Sequence, residues 1–179
     1  MDRTYIRGEG SWLWEADGRR TLDFTSQYGA VPLGHNPPEL WAAIFAVQRD
    51  GVPAMVQPSS PLIAGALAER LASITPIEGA RPEAPPVVTF GQSGAEVVEI
   101  AIKMCRMATG RPLIVAAERG YHGKTLGAAA LSSGGVDALP AAAVPPGFIH
   151  VQFNDIDALS AAFDAHGAEI AAVVLEPVQ

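Results

Sequence analysis

From Val87 onward, short apolar runs alternate with helical segments, and this alternation constrains the fold more than any other feature of the chain. VVTF at 87–90 is followed by a helical pattern to about Thr109, then LIVAAE at 113–118, a helical segment near Asp157 to His166, and AAVVLEP at 171–177. A strand that follows a crossover helix re-enters the sheet in the same direction as the strand before it, so the pattern predicts βα units on a mostly parallel sheet with helices on both faces. In the helix that ends at Thr109, Val97, Ala101, Met104 and Ala108 recur at helical spacing and are the expected core face. Cys105 is expected to be a small buried hydrophobe, and Glu99 and Lys103 a surface pair one turn apart.

The first half of the chain reads differently. In SWLWEADGRRTLDF, Asp17-Gly18 separates two short segments rich in aromatic and β-branched residues, the strongest local signal for a tight hairpin. In GHNPPELWAAIFAVQRDG, Asn36 is the expected helix cap, Pro37 or Pro38 suits the first turn, Glu39 has capping-box spacing, and Gly51 ends the helix. Leu40, Ile44 and Val47 share one face of it. A second helix is expected from Ser60-Pro61, burying Ile63, Leu67, Leu71 and Ile74. Pro76 to Pro86 also holds Pro82 and Pro85 and is expected to be a loop. No internal repeat is found.

Composition narrows the partners. Hydrophobic residues make up 49% of the 179 and charged residues 17%, enough apolar material for a buried core. The net charge of -7, with no basic cluster, argues against nucleic acid, whose phosphates need a basic stripe. The N-terminal MDRTYIRGEG has no apolar core like that of a signal peptide, and no apolar run is long enough to span a bilayer. Cys105 is the only cysteine, which suits a reducing compartment, so a cytoplasmic protein with no membrane partner is expected.

The segment with most chemical content is VVTF-GQSGAE-VVEIAIKMCRMATG. A two-glycine turn opens a helix, and the free N–H groups at that helix start point at whatever is bound beyond the strand end, which favours an anion. A tight βα turn without a ligand is equally consistent with this segment alone. GQSGA also nearly matches the nucleophile elbow G-x-S-x-G around Ser93, but the last glycine is replaced by Ala95. A serine hydrolase would further need an acid and a histidine, and Asp155, Asp157 or Asp164 before His166 is the order on offer, with His166 at an exposed helix end. Tyr121-His122 follows LIVAAE, where open α/β sheets bind ligands, so a planar cofactor could stack there; a half-buried loop aromatic beside a structural histidine is the plainer alternative. Glu176 ends the last apolar run as a solvated or a catalytic carboxylate. His35, His150 and His166 have no metal-ligand spacing, so no metal is expected.

Taken together, DFTSQYGAVPLGHNPPEL, FGQSGAEVVEIAIKMCR, GYHGKTLGAAALS and AAVVLEPVQ resemble, in order and spacing, the first half of the class III aminotransferases. The resemblance implies a fold type I transferase dependent on pyridoxal 5′-phosphate (PLP), with residues 1–57 in its small domain and 58–179 opening the cofactor-binding domain. It implies that Ser93, Gly94 and Ala95 hold the cofactor phosphate, that Tyr121 stacks on the pyridine ring with His122 beside it, and that Glu176 lies close to the cofactor on the substrate side. Tyr28 corresponds to a position lining the substrate pocket. Gln92 stands where the family usually has asparagine.

The implied reaction takes an amino group from a primary, terminal amine donor of ornithine, putrescine or 4-aminobutyrate type and gives it to a 2-oxo acid acceptor, in a homodimer. S-x-Y-x-A-V at 26–31, YHGKTLGA and PPGFIHVQFND look most like the ornithine and putrescine members. In the family, the lysine that holds the cofactor and the aspartate that pairs with the pyridine nitrogen come later in the chain, and neither Lys103 nor Lys124 matches that lysine. The 179 residues are therefore expected to be a fragment without its catalytic lysine, inactive by itself; the alternative is a non-catalytic piece or subunit completed by another polypeptide.

Overall fold

The structure is a computed structural model and describes residues 3–53, 61–75, 86–133 and 143–179. The chain divides into two compact units, Met1–Leu67 and Ala68–Gln179. The first is built on an antiparallel meander of β1 (Tyr5–Glu9), β2 (Trp12–Glu15) and β3 (Arg20–Leu22). The Asp17-Gly18 turn joins β2 to β3 as expected: Gly18 takes φ +87, and the Asp17 carboxylate accepts from the Arg19 amide at 3.1 Å. Trp12 and Trp14, two residues apart, share a face of β2. The guanidinium of Arg20 lies 4.3 Å over the first ring and that of Arg7 4.6 Å over the second, so cations cover what would be an exposed aromatic ladder.

Beyond β3 the backbone turns through three consecutive left-handed residues, Ser26, Gln27 and Tyr28, with φ 47°, 52° and 56°. Non-glycine residues resist that region, so a run of three needs external ties. Asp23 supplies them: its carboxylate accepts from the Thr25 amide at 3.0 Å, the Thr25 hydroxyl at 2.8 Å and the Ser26 amide at 2.9 Å, and meets His35 Nε2 at 2.8 Å. The Thr25 hydroxyl foremost, then His35 and the Ser26 amide, lower the Asp23 pKa to about 2. A depressed carboxylate stabilises the fold above its unfolded pKa, near 3.9, and this contribution disappears as pH falls through about 2. Acid titration followed by tryptophan fluorescence should therefore show a loss of stability between about pH 4 and 2 that Asp23→Asn removes. An identical acid transition in the variant would show that other carboxylates carry it.

Helix α1 (Pro38–Arg49) starts one residue later than Asn36 capping requires: Pro37 is the N-cap, with no side-chain cap bond. Asn36 instead takes φ 52°, donates through Nδ2 to Gly8 O at 2.8 Å and accepts from Trp41 Nε1 at 3.3 Å. Its side chain ties α1 back to β1, and that tertiary use outcompetes the cap. Helix α2 is Leu62–Ile74, yet none of its residues is buried; Ile63, Leu67 and Ile74 are exposed and Leu71 is half-buried. Periodicity identifies such a helix but not what covers its stripe. The expected loop from Pro76 to Pro86 lies outside the described residues apart from Pro86, as does the expected boundary at 57/58.

The second unit carries a parallel sheet in the order β5-β4-β6, with β4 (Leu113–Ala117) flanked by β5 (Phe148–Val151) and β6 (Ile170–Val174). β4 is buried on both faces, which is why it reads as an unbroken apolar run. Ile114 and Ala116 pack on one side with Ile102 of α3 (Gly94–Thr109) and Leu131 of α4 (Leu126–Leu131). Val115 packs on the other with Val151 and Ile170, over Ala158, Leu159 and Ala162 of α5 (Ile156–His166). Helices thus cover both faces, as the alternation of runs implies.

Two expectations fail here. Residues 87–90 are not a strand: VVTF has no ladder partner among the described residues. The core face of α3 is Val98, Ile102 and Cys105, not the stripe of Val97, Ala101, Met104 and Ala108, which is exposed. Both stripes are apolar, and only the position of the sheet selects between them. Cys105 packs against the core as expected.

Candidate functional site

The start of α3 is built by a reciprocal cap. Ser93, extended at φ -151, accepts the Glu96 amide on its hydroxyl at 3.2 Å, and the Glu96 carboxylate turns back to the Gln92 amide. This leaves the amides of Gly94 and Ala95 with no acceptor among the described residues, both at the positive end of a 16-residue helix. A Cβ added to Gly94 would meet nothing within 4 Å, and its backbone is not left-handed. Neither packing nor strain in the chain itself demands glycine there; the open space lies where a ligand would approach.

Ala95 is packed instead. Gly123, at φ +135, comes so close that a Cβ on it would fall 2.6 Å from the Ala95 Cβ. The loop carrying Tyr121 and His122 therefore lies directly on the first turn of α3. Glu176, just past β6, accepts the Tyr121 amide at 3.3 Å, and a Cβ on Gly120 would fall 3.0 Å from His122 Nε2 and 3.4 Å from Glu176 Oε2. Ser93–Ala95, Tyr121–Gly123 and Glu176 thus converge at one end of the sheet, joined through Gly123 and the Tyr121 amide. Burial foremost, with His150 adding to it and the Glu176 charge opposing, lowers the His122 pKa and keeps its ring neutral at pH 7. Tyr121 is 55% exposed, leaving a ring face for stacking.

Tyr28 sits in the first unit, 98% exposed on the left-handed turn. His166 ends α5 and faces Glu169 at 3.7 Å, just before β6 begins, so it is at the sheet end opposite Tyr121 and Glu176 and cannot serve Ser93 as a base. The hydrolase arrangement is thereby removed. Among the described residues no group of three His, Cys, Asp or Glu could hold a metal, and no helix is long and apolar enough to cross a membrane. A separate cleft of about 220 Å³ beyond the ends of β4 and β5, lined by Val151, Phe153, Asp155, Ile156, Leu159 and Leu175, contains none of Ser93–Ala95, Tyr121, His122 and Glu176.

One residue of the site has no signal in its local sequence. Glu99, expected to pair with Lys103 on the surface, instead points at α4 and accepts the Gly127 amide at 2.7 Å and the Ala128 amide at 3.2 Å. The donors of these two bonds lie 28 and 29 residues away in the chain, beyond the reach of any helical spacing rule.

The chain is similar to known proteins along its whole length. The aminotransferase class-III family model matches residues 1–179. The chain is 38% identical to acetylornithine aminotransferase of Streptomyces clavuligerus, over 98% of this chain and 41% of that enzyme. It is 35% identical to β-phenylalanine transaminase of Variovorax paradoxus, over 98% of this chain and 37% of the relative. The crystal structure of taurine:2-oxoglutarate aminotransferase from Bifidobacterium kashiwanohense, in complex with PLP and glutamate, superposes with a TM-score of 0.80 at 29% identity, covering 97% of this chain and 42% of that one. The chain spans about two fifths of the length of such relatives. With a family match along its whole length and the fold type I arrangement of a parallel sheet beside an antiparallel hairpin region, the chain belongs to the class III aminotransferases.

Proposed function

We propose that the protein transfers an amino group from a primary, terminal amine of ornithine, putrescine or 4-aminobutyrate type to a 2-oxo acid, with pyridoxal 5′-phosphate as cofactor. The observation that carries this is the convergence of two unbonded helix-start amides, an open Gly94, an exposed Tyr121 ring and the Glu176 carboxylate in one place. The residues fit the group: Gly94 and Ala95 amides with the Ser93 hydroxyl receive the phosphate, Tyr121 stacks on the ring with His122 beside it, and Glu176 stands at the substrate side. The cofactor, when bound, supplies an electron sink at the substrate carbon. Neutral His122 adds no charge beside the ring, while Glu176, through the Tyr121 amide, orients the stacking residue.

The donor class rests on the motifs around Tyr28 and on PPGFIHVQFND, with Tyr28 as a substrate-pocket residue. Residues 1–57 are assigned to the small domain and 58–179 to the cofactor-binding domain of a cytoplasmic homodimer. The 179-residue chain alone is assigned no covalent attachment and no turnover. Lys103 is exposed, nine residues beyond Gly94 along α3, about 13 Å at 1.5 Å per residue, and Lys124 lies just beyond Gly123.

The test is a PLP titration of the purified protein followed by absorbance, repeated on Gly94→Val. The branched side chain has room in the chain itself but occupies the phosphate approach, so affinity should fall at least about tenfold, the equivalent of about 1.4 kcal/mol. Unchanged affinity would remove the phosphate assignment. Borohydride reduction of the 179-residue chain with PLP should label neither lysine stoichiometrically; complete labelling of Lys103 or Lys124 with turnover of an amine would overturn the assignment of the lysines.

A further inference from the structure

We infer that Glu99 is a positioning residue of the cofactor site: from one turn inside α3 its carboxylate caps α4 and so sets the Tyr121–Gly123 loop against the helix start that receives the phosphate. The inference rests on the cofactor reading above. Helix α4 has Thr125 at its N-cap, without a side-chain cap bond, so its first amides must find an acceptor elsewhere. Glu99 Oε1 takes those of Gly127 and Ala128. A carboxylate suits this place doubly, accepting two N–H groups and carrying negative charge at a helix start. Its pKa is lowered: burial acts to raise it and is outweighed by the Thr125 side chain, the two amides and the Arg106 charge.

The fit is specific on both sides. A Cβ on Gly127 would fall 3.0 Å from Glu99 Cδ, 3.1 Å from Oε1 and closer still to Oε2, so the glycine is shaped to this carboxylate. Ala95 and Glu99 are four residues apart on α3 and therefore share a face. They meet Gly123 and Gly127, themselves four apart, as two rungs of one contact. The upper rung carries the stacking loop and the lower rung carries α4. Both are joined again through Ser132 at the end of α4, whose hydroxyl accepts the His122 amide at 2.9 Å and donates to Ala128 O at 2.9 Å. Gly123 also rests on α4, since a Cβ there would be 3.0 Å from the Ala128 Cβ. Moving α4 away from α3 therefore moves the loop that bears Tyr121, while the α3 start with its amides stays in place.

That asymmetry provides the test. The purified protein is titrated with PLP and, separately, with inorganic phosphate, in the wild type and in Glu99→Ala, Glu99→Gln and Gly127→Ala, well below the unfolding temperature of each. Glu99→Ala and Gly127→Ala should each weaken PLP about tenfold, because a supporting contact is lost, while phosphate affinity changes less than about twofold. Glu99→Gln, which keeps an acceptor at Oε1, should recover most of the loss. In a Tyr121→Ala background, Glu99→Ala should add less than about a twofold further loss, since it acts through that ring. Equal weakening of both ligands, no weakening of PLP, or full additivity with Tyr121→Ala would overturn the positioning role. If the wild type binds neither ligand, the cofactor reading fails and this inference with it; if Gly94→Val loses both ligands and the Glu99 variants lose neither, only the positioning role fails.

Discussion

Ile114→Ala should destabilise the second unit by about 2–5 kcal/mol, enough to consume much of the stability of an ordinary domain. Ile114 is fully buried in the central strand of the sheet and packs with Ile102 of α3 and Leu131 of α4. Removing three carbons there loses their transfer free energy and leaves a cavity that the surroundings cannot close, because β4 is held on both edges by the ladders to β5 and β6. Urea unfolding followed by far-UV circular dichroism should show the midpoint moving down by about 1 M or more. Leu126→Ala is the control: Leu126 is 64% exposed, and its loss should cost within about 0.5 kcal/mol. A shift no larger in Ile114→Ala than in Leu126→Ala would mean that β4 is not the core of this unit.

Gly123→Val should cost a comparable amount and also disable the site. Gly123 lies at φ +135, where a side chain is strained by about 1–3 kcal/mol, and its Cβ would overlap Ala95, adding about 1–3 kcal/mol of overpacking. The overlap is with the Ala95 Cα as well, at 2.9 Å, so no rotamer change relieves it and the loop itself must lift. Because that loop carries Tyr121, PLP affinity should fall together with stability. Ala95→Gly opens part of the room and should restore part of the stability of a Gly123→Ala variant, whereas the backbone strain persists. Thermal melts with and without PLP separate the two effects. Full stability and full affinity in Gly123→Val would show that the loop does not rest on α3. Gly94, in the neighbouring turn, makes the opposite case: there the chain tolerates a side chain and only the ligand would not.

Much of this was legible in the residues because local rules decide it. An Asp-Gly pair between two aromatic-rich segments suffices for a hairpin, and an unbroken run such as Leu113–Ala117 suffices for a buried parallel strand. Ser93-Gly94-Ala95-Glu96 contains its own cap, so the start of α3 is encoded within four residues. The helix over Ile156–His166 follows the same logic, with Asp155 as its cap.

Where a choice depended on a distant partner, local rules could not make it. α3 has two apolar stripes, and the sheet chose Val98, Ile102 and Cys105 over Val97 and Met104. VVTF has the composition of a strand but no neighbour among the described residues to bond with. Asn36 has the form of a cap and is spent on Gly8 and Trp41, while Glu99 has the form of a surface ion pair and is spent on the amides of α4. The sequence by itself determined the βα alternation, the anion-ready helix start and the family resemblance, because these depend on spacings within a few residues or on motifs in order. The tertiary structure decided which face of α3 is buried, which glycines are in close contact and which face open space, and that Glu99 meets the amides of α4, because hydrogen bonds and close contacts between residues 28 or more apart exist only once the sheet has brought them together.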